Sequence, residues 1–306
     1  MSGGASDEQR APRRPDSPAL GEIVRGVAAD LAAAGIADAR LEAERLVAHA
    51  AGMPRSEVAT SPNRRLAAAE AATLVRGVSR RLRREPLQHI EGEAAFRRLT
   101  LVSDGRALIP RPETEQLVDR IAAWAAGLRL EAVLDIGTGS GAIALALLEE
   151  GIASRVIGLD VSPAALEQAR ENRERLGIDP ARFELRLAGQ DFWSEVGREE
   201  RFALIVSNPP YVPETELDGL QPEVRDFEPR SALAAGADGL DVIRRIAAGA
   251  AAHLEPGAPL FVEIGARQAH AADLFLETDG WIETTVQRDL AGRDRFLFAV
   301  SAALAP

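Results

Sequence analysis

The chain contains no cysteine, which excludes disulfides, thiolate metal sites and a cysteine nucleophile, and fits a reducing compartment. Histidine is scarce, at four copies. His89 has no partner at ligand spacing, so a structural role is expected for it, and no metal site is expected. Nothing approaches the roughly 18 consecutive apolar residues of a membrane span, and the opening residues carry no apolar signal core. A soluble, cytoplasmic protein with no membrane association is expected. An excess of basic charge is missing too: 36 Lys and Arg against 47 Asp and Glu leave a net charge of −11. A broad footprint for nucleic acid is therefore absent, and stable nucleic-acid binding is not expected.

What the chain does have is length and apolar content. Its 306 residues, 46% of them hydrophobic, allow two modest domains with real cores. Residues 1–18 are rich in Gly, Ser, Pro, Arg and Asp, and cannot offset the ordering entropy of a packed structure, so a disordered tail is predicted. Over 19–85, Ile23, Val27 and Leu31, then Leu41, Leu46 and Val47, recur at helical spacing, which predicts a small helical domain. Arg80, Arg81, Arg83 and Arg84 read as a solvated helix face. Residues 86–110 form a connector with a hairpin from about Ala94 to Val102. Arg111 then stands between Pro110 and Pro112, where a helix starts with Glu113 and Glu115 in its first turn.

From Ala132 the pattern is strand, glycine loop, helix, strand. Val133–Ile136 leads into Gly137, Thr138, Gly139, Ser140 and Gly141, where glycines let the backbone approach a ligand and the following helix offers NH groups. A second strand ends at Asp160, just over 20 positions beyond the loop, where a ribose hydroxyl would be held. Gly137, Gly139 and Ala142 also satisfy a permissive dinucleotide pattern, but nothing further along resembles a hydride-transfer site. A third strand leads to Asp191, Phe192 and Trp193, a carboxylate and an aromatic face able to bracket an adenine, with either ring the contact.

The fourth strand, Phe202–Val206, ends in Ser207-Asn208-Pro209-Pro210-Tyr211. Both prolines fix φ near −65°, and Pro209 holds Asn208 extended, so this is a stiff, preset bend. It presents the Asn208 amide, a backbone carbonyl with no NH beside it, and the Tyr211 ring. Two acceptors beside an aromatic wall suit a substrate NH2 group aimed at an alkyl donor.

Several stretches taken together are similar to the S-adenosylmethionine-dependent release-factor glutamine methyltransferases. They are Glu85–Gly92, Leu108–Glu115, Val133–Ala144, Val206–Val212, Val224–Leu233 with Gly239-Leu240-Asp241, Glu263-Ile264-Gly265 and Arg288–Arg295. The resemblance covers nearly everything after the tail. It implies a helical substrate domain, a hairpin connector and, over 111–306, a Rossmann-like seven-stranded class I methyltransferase domain. It also implies methylation of the side-chain amide nitrogen of the glutamine in the Gly-Gly-Gln loop of class I peptide chain release factors. Gly137 to Gly141, Asp160, Asp191, Phe192 and Asn208 would bind S-adenosyl-L-methionine. Asn208 and the Pro209 carbonyl would grip the glutamine amide, with Pro210 and Tyr211 beside it. Asn-Pro-Pro-Tyr alone is shared with methyltransferases of adenine N6 and cytosine N4, the alternative reading. No general base is obvious, so a chemical step nearly flat with pH around neutrality is expected.

Overall fold

A computed structural model describes residues 17–189 and 191–302. Most of the expected tail, residues 1–16, lies outside them. The chain divides into two compact units after Leu87.

The first unit contains the helices Leu20–Ala33, Ala39–Ala51, Arg55–Thr60 and Ala68–Leu82. Gly52, at φ +59°, ends the second in the left-handed conformation that only glycine adopts cheaply. Leu20, Val24, Leu31, Leu46 and Val47 form the buried stripe, whereas Leu41 is exposed. The arginine run is a solvated face only in part, with Arg83 exposed and Arg81 inside. Arg81 is buried, and its Nε donates to Glu42 Oε2 at 2.5 Å. Arg80 Nη2 donates to Glu85 Oε1 at 2.6 Å, and Arg84 Nη1 to the carbonyl of Ala34 at 3.2 Å. Acceptors from the second helix and the turn after the first take up Arg81 and Arg84, Arg80 pairs just beyond its own helix, and Arg83 stays exposed, bonded to Ser79 of its own helix at 2.9 Å.

The second unit opens with an antiparallel hairpin of β1 (Glu93–Phe96) and β2 (Leu99–Val102). Its tip residue Arg97 has φ +53°, a strained choice for a side-chain-bearing residue. The guanidinium and backbone NH of Arg97 offset it by bonding Asp119 at 2.7 Å, Glu150 at 2.8 Å and Glu115 at 2.8 Å.

Seven strands then make one sheet: β3 (Leu130–Ile136), β4 (Ala153–Asp160), β5 (Phe183–Leu187), β6 (Leu204–Ser207), β7 (Pro259–Glu263), β8 (Trp281–Arg288) and β9 (Asp294–Ser301). Their order is β5-β4-β3-β6-β7-β9-β8. The first five are parallel, while β9 runs antiparallel to both β7 and β8. Parallel strands covered on both faces read as unbroken apolar runs, and every residue of β6 is buried. Successive side chains alternate between two cores. Leu204 and Val206 pack with Leu117, Ile121 and Leu145, whereas Ile205 packs with Leu134, Ile243 and Ile246. Strand order reverses between β3 and β6, which opens a crevice at their carboxyl ends. The Arg-Asp-rich link between β8 and β9 is salt-bridged, through Arg288–Asp294 at 3.3 Å and Arg293–Asp289 at 3.6 Å.

Candidate functional site

At that crevice lies a cavity of about 260 Å3 lined, among others, by Gly137, Asp160, Phe192, Asn208, Pro209 and Pro210. They come from the carboxyl ends of four strands, β3, β4, β5 and β6, or from the turns after them. The positive φ of Gly137, +72°, lets the chain leave β3 sharply. One turn on, Asp160 closes β4. Its Oδ2 accepts from Gly139 NH at 2.8 Å and its Oδ1 from Ser162 NH at 2.9 Å. These bonds join the glycine loop to β4 and aim the carboxylate. Burial nonetheless raises the Asp160 pKa, with the backbone NH bonds opposing. Beside this carboxylate the wall is mostly apolar, with Ile136, Leu159, Val161, Ala165, Ala188 and Phe192, while Arg106, Ser162 and Arg245 add polar groups.

Other expected residues serve the site from outside its wall. Thr138 and Ser140 are buried. Thr138 Oγ1 donates to Asp135 Oδ2 at 2.7 Å, and the Ser140 carbonyl accepts from Asn172 Nδ2 at 2.9 Å. Asp135 is fully buried, and desolvation lifts its pKa to about 7. Gly139 and Gly141 take the left-handed turns at φ +57° and +80°. Asp191 caps the short turn Phe192–Glu195 by accepting from Trp193 NH at 3.2 Å. Of the two aromatic candidates, Phe192 lines the cavity, with the Arg245 guanidinium 5.5 Å from its ring centre. Trp193 points elsewhere: its ring stacks on His253 at 5.2 Å, and its Nε1 donates to the Arg245 carbonyl at 2.8 Å.

The Asn208 corner is braced from several elements. Asn208 Nδ2 donates to Thr114 Oγ1 at 3.0 Å, and Thr114 Oγ1 donates to Glu263 Oε2 at 2.7 Å. Tyr211 is not part of the cavity wall; its hydroxyl donates to Glu263 Oε1 at 3.4 Å. Burial and the nearby Glu263 raise the phenol pKa, keeping it neutral. Behind the corner, Gln268 Nε2 donates to the Tyr211 carbonyl at 3.0 Å and the Gly239 carbonyl at 3.2 Å. Gly239 has φ +78°, and any Cβ there would collide with the Tyr211 carbonyl.

Arg111 is a tie, not a cavity residue. Its Nη2 donates to Glu228 Oε2 at 2.5 Å, while Glu228 Oε1 accepts from Ile109 NH at 3.3 Å. Burial raises the Glu228 pKa, and the Arg111 charge opposes that shift. The loop so held supplies Pro229, Ser231, Ala232 and Ala234 to the cavity wall. It is also bonded to the corner, Val212 NH to the Leu233 carbonyl at 2.9 Å and Ala235 NH to the Val212 carbonyl at 3.0 Å.

Residues 22–92 match the PrmC N-terminal domain family and residues 129–246 a methyltransferase domain family. A release factor glutamine methyltransferase of Cereibacter sphaeroides is 42% identical over 280 residues, covering 91% of this chain and 97% of the relative. The chain belongs to the release factor glutamine methyltransferase family. A second member, from Geobacter sulfurreducens, is 41% identical over 87% of this chain and 90% of its own length. Among solved structures, the 16S rRNA N2 G1207 methyltransferase of Thermus thermophilus, in complex with AdoMet and guanosine, aligns with a TM-score of 0.50 and 20% identity. That alignment covers 68% of this chain and 49% of that one, and it supports the fold alone. Family membership over nearly the whole chain does not favour the nucleobase alternative. Among the described residues, no helix is long and apolar enough to cross a membrane.

Proposed function

We propose that this enzyme transfers a methyl group from S-adenosyl-L-methionine to the side-chain amide nitrogen of the glutamine in the Gly-Gly-Gln loop of class I peptide chain release factors. One observation carries this beyond family membership. The acceptor corner Asn208-Pro209 shares a single cavity with the Asp160 carboxylate and the Phe192 ring. A largely apolar cavity that holds an aimed carboxylate fits a nucleoside with a ribose diol. Asp160 would hold the diol, Phe192 and its apolar neighbours the base, and the glycine loop from Gly137 to Gly141 the remainder. When bound, this cofactor supplies an electrophilic sulfonium methyl group.

The residues of the chain supply geometry. An amide nitrogen is a poor nucleophile, because its lone pair is delocalised into the carbonyl. Asn208 and the Pro209 carbonyl accept its two hydrogens, and the following Pro210 has no NH to compete for the site. Orientation of this kind is worth up to roughly 7–11 kcal/mol. As the nitrogen gains its methyl group it becomes more positive, and the same acceptors hold it more tightly in the transition state. One proton then leaves to solvent. The decisive experiment incubates the protein with cofactor and a purified release factor. A single added methyl group on the Gly-Gly-Gln peptide by mass spectrometry is expected; its absence refutes the reading.

The helical unit carries none of these features, and we assign it recognition of the folded release factor. Removing residues 1–85 is expected to abolish efficient methylation of intact release factor while leaving cofactor affinity within a few fold by calorimetry. Equal rates with and without those residues would refute this assignment.

A further inference from the structure

Gripping an NH2 group requires the oxygen of the Asn208 amide, yet a primary amide presents O or NH2 after a half-turn about its last torsion. The choice is made two residues away. Thr114 Oγ1 donates its one hydrogen to Glu263 Oε2 at 2.7 Å, so it offers Asn208 only lone pairs. Only the Nδ2 arm of the amide can answer them, and it does so at 3.0 Å. We propose that Glu263, acting through Thr114, is a positioning residue that holds the Asn208 amide with its oxygen available to the substrate. This rests on the function proposed above, in which that oxygen accepts from the glutamine NH2.

Glu263 closes β7 and is 1% exposed. Three surrounding elements contribute polar or charged groups. The helix Pro112–Ala125 brings Thr114 and the charge of Glu113, the corner brings the Tyr211 hydroxyl, and β9 brings Arg295. Arg295 favours the carboxylate and Glu113 opposes it, but burial dominates and lifts the pKa to about 7. Ionised, Glu263 accepts from both hydroxyls. Protonated, it donates to Thr114, whose own hydrogen is then free to turn toward Asn208. The amide answers with its oxygen and swings NH2 into the cavity, where donor faces donor. Loss of a proton from Glu263 therefore arms the corner, although the carboxylate never touches the substrate. The rate of the chemical step rises with pH through about 7 and levels off above it. This replaces the flat profile expected from Asn208, Pro209 and Tyr211 alone.

The test uses the full-length protein. In single-turnover methylation of a release factor near pH 8, Thr114→Val is expected to be about 10- to 100-fold slower, with cofactor affinity within about threefold of wild type. Thr114→Ser, which keeps the hydroxyl, should recover to within about threefold. The wild-type rate should fall by up to about tenfold per pH unit below the Glu263 titration, and Thr114→Val should lose that slope. A Thr114→Val rate within about twofold of wild type, or one that keeps the wild-type slope, overturns the inference. A second readout needs no substrate. The side-chain NH2 signals of Asn208 in a 15N spectrum, identified by their loss in Asn208→Ala, should move with pH through about 7 in the wild type and stay fixed in Thr114→Val. Signals that stay fixed in the wild type overturn the relay. A wild-type protein that methylates no release factor refutes the proposed function instead, and the amide titration then decides the relay by itself.

Discussion

In the helical unit, Arg81 lies 4% exposed against Glu42, Arg80 faces Glu85 and Arg64 faces Glu70 at 2.7 Å. In the methyltransferase unit, Asp135, Asp160 and Glu263 rest instead on hydroxyls and backbone NH groups, and burial raises all three pKa values. The difference separates two uses of a buried charge. A guanidinium facing a carboxylate is neutralised, and in Arg81–Glu42 it ties one helix to another. A carboxylate resting on hydroxyls and NH groups keeps its proton affinity and its free lone pairs, which a site can use.

Substitutions in the two units should therefore fail in different assays. The largest effect is expected at the corner, where Asn208→Ala should lower single-turnover methylation by about 10²- to 10³-fold and change cofactor affinity far less. A comparable loss of cofactor affinity would mean that Asn208 belongs to the cofactor half of the cavity. Next comes Asp160→Ala, which removes charge-assisted hydrogen bonds and should weaken cofactor binding about 10- to 150-fold in calorimetry. An unchanged affinity in the folded variant removes Asp160 from the site. Glu42→Ala should do the reverse of both. It takes the carboxylate away from the buried Arg81 guanidinium, which still donates to the Glu85 carbonyl at 3.3 Å, and should cost about 1–3 kcal/mol in denaturant unfolding of the helical unit, with cofactor affinity intact. Altered cofactor affinity there would break the division between the units. The smallest contrast tests the two rings: Phe192→Ala should weaken cofactor binding about 5- to 20-fold and Trp193→Ala by less than about threefold. The opposite ranking would move the base to the Trp193 side.

Much of this was legible in the chain because it is local. β3, β4, β6 and β7 announce themselves as apolar runs, and the glycine loop, Asp160 and Asn208 each sit where a strand stops. The helical unit was readable as helices, but Leu41 was expected to be buried and Arg81 exposed, since periodicity gives a stripe without saying which neighbour will cover it. The relay was not readable. Thr114 and Asn208 are 94 positions apart, and Thr114 and Glu263 are 149 apart. Thr114 in particular reads as an ordinary residue in a helix's first turn. Nor was the tie from Glu228 to Arg111 readable; it holds the loop 229–234 and spans 117 positions. Such pairs depend on the strand order β3-β6-β7, which only the completed sheet supplies.

Gly239 has a consequence for how mutations in this protein should be sorted. It lies outside the cavity wall and has no side chain, so a screen for loss of function would file it with stability mutants. Yet a methyl group at Gly239 would press on the Tyr211 carbonyl from behind, where Gln268 already braces it. The disturbance would arrive at the Asn208 corner through the backbone, while Asp160 and Phe192, on the other side of the cavity, would feel little of it. Gly239→Ala should thus resemble an active-site lesion: a protein that still melts cooperatively and still takes up its cofactor, but turns over slowly. Genetic tolerance at this position reports the stiffness of the corner and not the chemistry of the residue that occupies it.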